Sequence, residues 1–198
     1  MPTVTRLRET RGGRIAVELD GARWRTFSPE VVARVRLGVG EVLDRVRLRE
    51  LARERRRVRA VETALRAVAR RDQSSAELRR RLDGRHVAPA DREKALGALE
   101  RAGLVDDGRY AVRRAESLAE RGHGDAAIRW RLEREGIGTP EADAALEGLE
   151  PEAERARRIL AARGRGVRAA RELERRGFGE DAIHDALGGS LRTEAEER

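Results

Sequence analysis

From Thr3 to Phe27 apolar and polar positions alternate, and turn residues break the alternation at Gly12-Gly13 and Asp20-Gly21. A period of two predicts strands with one face in water, and Asp-Gly between two such runs is a strong hairpin signal. The expected element is a small three-stranded antiparallel meander. After Phe27 the spacing changes to threes and fours. Ser28-Pro29-Glu30 combines a cap residue, a proline for the first helical position and an acid for the first turn. This predicts a short helix to about Leu37, ended by Gly38 and Gly40. A longer helix is predicted from about Asp44 to Arg71, with Leu51, Val58, Val61, Leu65 and Val68 on one face and Arg53, Arg55, Arg56, Arg57 and Arg59 grouped on another.

The remaining two-thirds of the chain repeats one pattern. Leu82, Leu132 and Leu173 are each followed five positions later by an apolar residue (Val87, Ile137, Phe178) and nine positions after that by Leu96, Leu146 and Leu187. A glycine marks the break between the first two anchors: Gly84, Gly136 and Gly177. Glycine after an apolar periodic run is the usual end of a helix, so each copy reads as a helix, a break and a second helix. The first copy opens on Ser74-Ser75-Ala76-Glu77, a capping box, and continues through Pro89-Ala90-Asp91 into a second helix and through Asp106-Asp107 into a third. The second copy keeps this order to Arg163; the third has two helices, then Gly188-Gly189 and a polar tail. The fold class expected is mainly α, with tandem three-helix repeats forming an elongated curved array behind the meander. The segmentation is 1–43 (meander and short helix), 44–71 (long basic linker helix), 72–122 and 123–164 (three-helix repeats), and 165–198 (partial repeat and tail).

Charged residues make up 40% of the 198 positions and hydrophobics 39%, lean for one compact core but suited to thin helical layers. The formal net charge is +8, and Lys94 is the only lysine. An arginine bias reflects base composition of a genome as readily as phosphate binding, so the total charge decides little. Its distribution is more informative. Arg79, Arg80 and Arg81 fall in the first helix of copy one, Arg129 and Arg131 flank Trp130 in copy two, and Arg171 and Arg175 lie in copy three, with Arg113 and Arg114 in the third helix of copy one. These ten residues are the candidate surface for a partner or for DNA, because arginine-rich helical faces contact phosphates and acidic protein surfaces.

Catalytic chemistry finds little support. No cysteine is present, which removes disulfides and thiolate metal sites. His86, His123 and His184 have no partner at metal-ligand spacing, and His123, between Gly122 and Gly124, is expected in an exposed turn. Asp106-Asp107 reads as a helix cap rather than an acid/base pair. Gly38-Val39-Gly40 and Gly164-Arg165-Gly166 follow no strand and lack the lysine and hydroxyl of a phosphate loop. Tyr110 and Phe178 read as core, while Trp130 suits either core or contact. No catalytic residue, cofactor, metal or small-molecule substrate is assigned. No run approaches the ~18 apolar residues that span a bilayer, so a soluble cytoplasmic monomer is expected.

At these residues the chain resembles the RecX family. The stretch from Ser74 to Leu82, with its serine-led S-x-x-E-L helix, is followed by Leu96-Gly97-Ala98-Leu99 and by Gly103-Leu104-Val105-Asp106-Asp107-Gly108-Arg109-Tyr110-Ala111. Gly122-His123-Gly124 leading to Ile128-Arg129-Trp130-Arg131-Leu132, Gly136-Ile137, and Leu173 to Phe178 extend the likeness over about Asp72 to Leu187. The chain departs from the family pattern at Asp83-Gly84-Arg85-His86-Val87. The resemblance implies a non-enzymatic regulator that binds the RecA filament on single-stranded DNA and inhibits its ATPase, strand-exchange and co-protease activities in DNA repair and recombination. From the residues alone, a general nucleic-acid-binding helical module with no dedicated protein partner is the other reading.

Overall fold

A computed structural model of the chain describes residues 1–164 and 166–188; Arg165 and the polar tail from residue 189 lie outside the described residues. Three strands and ten helices are found among them. They group into two units, one of residues 1–71 with 78–104 and the other of residues 72–77 with 105 onward.

In the first unit, β1 (Val4–Glu9), β2 (Ile15–Leu19) and β3 (Ala22–Phe27) form the expected antiparallel sheet in the order β1-β2-β3. The hairpin turns on Asp20 and Gly21, with φ of 48° and 79°, the left-handed pair that such a tight turn requires. Helix α1 (Pro29–Val35) ends earlier than the sequence predicts. Arg36 takes the left-handed seat, with the Arg36 N–H donating to Ala33 O at 3.1 Å and the Leu37 N–H to Val32 O at 3.0 Å. The following segment returns to the sheet, where the Val4 N–H donates to Glu41 O and the Gly40 N–H to Val4 O, both at 2.8 Å. Val4, Val17, Phe27, Val31, Val35, Leu37 and Leu43 make a buried core with Leu51 and Val58 of α2 (Arg45–Val68). Asp44 caps α2 by accepting from the Arg47 N–H at 2.7 Å. Along the second half of α2 the buried positions are Ala60, Ala64 and Ala67, while Leu65 is 39% exposed. The apolar stripe read from the larger side chains is therefore rotated, since alanine buries where neighbouring backbone comes close. Helices α3 (Ser75–Asp83) and α4 (Pro89–Arg101) bury Leu78, Leu82, Ala95, Leu96 and Leu99; the first turn of α3 groups with the second unit.

The second unit contains α5 (Asp107–Glu120), α6 (Asp125–Glu135), α7 (Thr139–Glu147), α8 (Glu152–Arg163), α9 (Val167–Arg175) and α10 (Glu180–Leu187). Tyr110, Ala111, Ala115 and Leu118 of α5 share a core with Ile128, Leu132, Ile137, Ala142 and Ala145. Ala156 and Leu160 of α8 share another with Ala170, Leu173, Phe178, Ile183, Ala186 and Leu187. The helices that share a core are thus α5-α6-α7 and α8-α9-α10, one helix out of step with the sequence segmentation. A helix read as the end of one copy is the floor of the next, because its apolar face can be covered only by the helices that follow it.

The three breaks share one geometry, and in the first copy, where α3 stops before Gly84, the left-handed residue is two positions further on. His86 N–H donates to Asp83 O at 2.8 Å and Val87 N–H to Leu82 O at 3.1 Å. Gly136 with Ile137, and Gly177 with Phe178, repeat this pair of bonds four and five positions after Leu132 and Leu173. It is the Schellman turn, and its left-handed seat holds His86 (φ 56°), Gly136 (φ 89°) and Gly177 (φ 81°).

Candidate functional site

The aligned turns give α3, α6 and α9 a common register, in which equivalent positions can be compared. Arg79 meets Glu93 at 3.1 Å in the first unit, and Arg129 meets Asp143 at 2.6 Å in the second. The same pair, 14 residues apart each time, ties a first helix to the second helix of its copy. Hydrogen bonding from Arg79 is the main cause holding the exposed Glu93 carboxyl below its ordinary range. In copy three this position is the buried Ala170. One position further along, Arg80, Trp130 and Arg171 are all exposed. Next come Arg81, Arg131 and Glu172, each half-buried.

Trp130 is 54% exposed, and the Arg134 guanidinium lies 4.8 Å from the centre of its ring. Residues four apart share a helix face, so the cation–π contact makes a flat, amphipathic plate on the outside of α6. On α9, Arg171 and Arg175 are likewise four apart and exposed. Among the described residues no carboxylate forms a salt bridge with Arg131, Arg171 or Arg175, though the charge of Arg131 acts on Glu135. On α5, Arg113 meets Asp72 at 2.6 Å with both side chains about half in water. Arg114 is held differently: it grips the Glu135 carboxylate with two nitrogens, at 3.0 and 2.6 Å, while the Tyr110 hydroxyl donates to the same group at 2.8 Å. Burial raises the Glu135 carboxyl, but the bonds from Arg114 and Tyr110 outweigh it and leave it below its ordinary range. Burial first, then Glu135, pushes the Tyr110 hydroxyl far up.

His123 is half-buried rather than in the exposed turn predicted for it. Burial, and then the charges of Arg131, Arg176, Arg121 and Arg114, hold its imidazole below the ordinary value. Arginines from three helices therefore converge on one spot of this unit.

The acids at the start of α5 divide their work. Asp106 caps its own helix, accepting from the Arg109 N–H at 2.9 Å. Asp107 accepts from the Ser75 N–H at 2.7 Å, at the start of α3, while the Ser74 hydroxyl donates to Glu135 O at 2.7 Å. Glu152 of α8 does the same one copy later, accepting from the Asp125 N–H at 2.6 Å and from the Gly179 N–H at 3.2 Å. Beside it Arg155, 3% exposed, donates to the carbonyls of Glu150 and His123 at 2.9 and 3.1 Å and to the Asp125 carboxylate. Sequence reasoning missed Arg155. Aligning Asp107 with Glu152 finds it, since it then falls on Tyr110, a core position. Among the described residues no group of three or more potential ligands is placed to hold a metal ion, and no helix is long and apolar enough to cross a membrane.

No family model matches the chain. It is 35% identical over 135 residues to the regulatory protein RecX of Halorhodospira halophila, covering 63% of this chain and 84% of that protein. The RecX of Chromohalobacter salexigens is 38% identical over 135 residues, covering 64% and 89%, and that of Deinococcus radiodurans 33% over 158 residues, covering 75% and 76%. Among solved structures, the crystal structure of a regulatory protein RecX superposes with a TM-score of 0.82 at 21% identity, over 96% of this chain and 100% of that one. RecX from Lactobacillus salivarius superposes with a TM-score of 0.61 at 16% identity, over 68% and 96%. The solved structures establish the mainly helical fold with its small antiparallel sheet, and on the identities to its relatives the chain belongs to the RecX family of regulatory proteins.

Proposed function

We propose that this protein binds the RecA filament on single-stranded DNA in the cytoplasm and restrains it, lowering its ATPase, strand-exchange and co-protease activities without an enzyme activity of its own. The observation that carries the reading is the plate of Trp130 and Arg134 on α6 beside Arg131, in a member of a regulatory family. Tryptophan and arginine are among the side chains that most often dominate protein–protein binding, tryptophan through the area it buries and arginine through its planar fork of donors. Arg171 and Arg175 on α9 extend the cationic character, and Arg80, Arg81 and Arg113 are further contacts in this reading. Arg79, Arg114 and Arg129 support it indirectly, by fixing helices through their acids.

The test is the single-stranded-DNA-dependent ATPase rate of RecA as this protein is titrated in, with DNA in large excess so that competition for DNA is removed. Inhibition well below the RecA concentration is expected. Replacing Trp130 and Arg134 together by alanine should raise the half-inhibitory concentration about 30-fold, the effect of ~2 kcal/mol at a binding hot spot. Unchanged inhibition by that variant would remove this face from the reading. Absence of inhibition by the unmodified protein, with DNA binding retained, would leave the general nucleic-acid-binding module.

A further inference from the structure

A second concentration of positive charge lies on the first unit, and neither its fold nor the plate on α6 uses it. Arg56, Arg59, Thr63 and Arg66 follow one another along α2 at intervals of three, four and three, which keeps them in one stripe about 15 Å long. Arg85, His86, Val87, Ala88 and Asp91, from the turn between α3 and α4 and the start of α4, close the other side of a groove of about 450 Å³. Arg56, Arg59, Arg66, Arg85 and His86 are all exposed. Among the described residues no carboxylate pairs with Arg59, Arg66 or Arg85. Asp91, the acid in the lining, reaches Arg56 only at 3.7 Å.

Two other arginines of α2 are neutralised: Arg57 meets Glu54 at 2.6 Å, and Arg47 meets Glu50 at 2.6 Å as well as Glu41. Arg59, Arg66 and Arg85 of the groove have no such acid among the described residues. Arg55, next to the stripe, senses the excess, since burial and then the charges of Arg25, Arg59 and Arg56 lower its affinity for its own proton. The start of α4 adds to the field, because its cap residue Ala88 offers no side-chain acceptor for the free N–H groups there. Thr63 donates to Arg59 O at 2.7 Å and accepts from Arg66 at 3.3 Å, so it spaces the stripe without reducing its charge.

The form of the groove selects among anions. Guanidinium groups in a line do not converge on one small ion, but they match a polymer that repeats its charge every few ångströms. Ala60, Val87 and Ala88 supply the shallow apolar lining, which gives a peptide side chain no pocket to fill, and among the lining residues no phenylalanine, tyrosine or tryptophan offers a platform for stacked bases. We infer that this groove seats the phosphodiester backbone of a nucleic-acid strand, without regard to its sequence. The inference goes beyond the filament reading, concerns the other unit, and is measured with no recombinase present.

The experiment is fluorescence anisotropy of a labelled oligothymidylate titrated with the full chain across a series of salt concentrations. Replacing Arg59, Arg66 and Arg85 by alanine is expected to reduce the slope of log affinity against log salt by about 2, since each phosphate contact to a single strand contributes about 0.7. Replacing Arg6, Arg8 and Arg23, three exposed arginines of the sheet, removes the same charge and should leave the slope nearly unchanged. Equal effects of the two triple variants would overturn the site, as would an unaltered slope in the groove variant. Displacement of the oligonucleotide by poly-glutamate as effectively as by an unlabelled oligonucleotide of equal charge would overturn the phosphodiester assignment in favour of acidic protein. If the groove triple melts early, Arg59→Gln and Arg66→Gln singly should each lower the slope by about 0.7, and no change in either would also overturn it.

Discussion

Gly124 starts α6 with φ at −81°, a backbone conformation open to any residue, yet a Cβ on it would run into the carbonyl group of Gly177 and the nitrogen of Phe178. The requirement for glycine is one of space. Gly124→Ala should therefore lower stability by about 2 kcal/mol, the usual cost of forcing an extra carbon into close-packed backbone, seen as a lower urea midpoint at unchanged m. His86 poses the converse problem. It holds a φ of 56° with a full side chain, where the equivalent residues are glycines. His86→Gly should raise stability by about 0.5–1 kcal/mol by relieving the left-handed strain, read as a higher thermal midpoint. Gly84, which looks like the helix stop in the sequence, would place a Cβ no nearer than 3.6 Å from Arg80 O. Gly84→Ala should accordingly be neutral or slightly stabilising in the same melt.

At the scale of elements, the junctions between copies depend on acids that cap a helix other than their own. Glu152 accepts from the N–H of Asp125, the first residue of α6, and from that of Gly179, the cap residue of α10. Glu152→Ala should cost about 1–2 kcal/mol, as the loss of two caps at helix ends, and Glu152→Gln should recover part of this by keeping an acceptor; matched urea melts of the two variants measure both. Only half of this arrangement was legible in the sequence. The Asp106-Asp107 pair read correctly as capping, but a linear pattern shows what precedes a helix, not which neighbouring helix end lies within reach. The same limit hid Arg155. Its charge suggested water, while its position in the turn of α8 equivalent to Tyr110 placed it among carbonyls. Strands, helix starts and the Leu82, Leu132 and Leu173 register were all legible because each rests on local spacing. The division of arginines into Arg79 and Arg129, which hold helices, and Trp130 with Arg134, which face water, needed the packing.

For the molecule as a whole, one histidine and three carboxylates held low, Glu41, Glu93 and Glu135, set the expected response to acid. His123 is held below the 6.5 of a free imidazole by burial and four arginines. The unfolded chain then binds a proton that the folded chain refuses, so stability is full above about pH 6.5 and falls as pH drops toward the folded value. Glu135 is held below 4.5, so its contribution is present above that value and is lost as pH falls through the lower, folded one. Melting temperature should be flat from pH 8 to about 7, decline in a first step below about 6.5 and decline again below about 4.5. His123→Gln should flatten the first step and leave the second. A first step that persists in this variant would assign it to another group.

The contact at Gly124 and Gly177 is made by main chain on both sides: the Gly124 N–H donates to Arg176 O at 2.9 Å and the Ala126 N–H to Gly177 O at 3.1 Å. Every residue but proline carries the same N–H, and every residue the same carbonyl. A joint built this way does not read the identity of the side chains around it, so mutations can accumulate beside it over long divergence without shifting one helix pair against the next. Nearly every side chain at that seam is therefore free to change, except where a hydrogen stands in place of a Cβ on Gly124 and on Gly177.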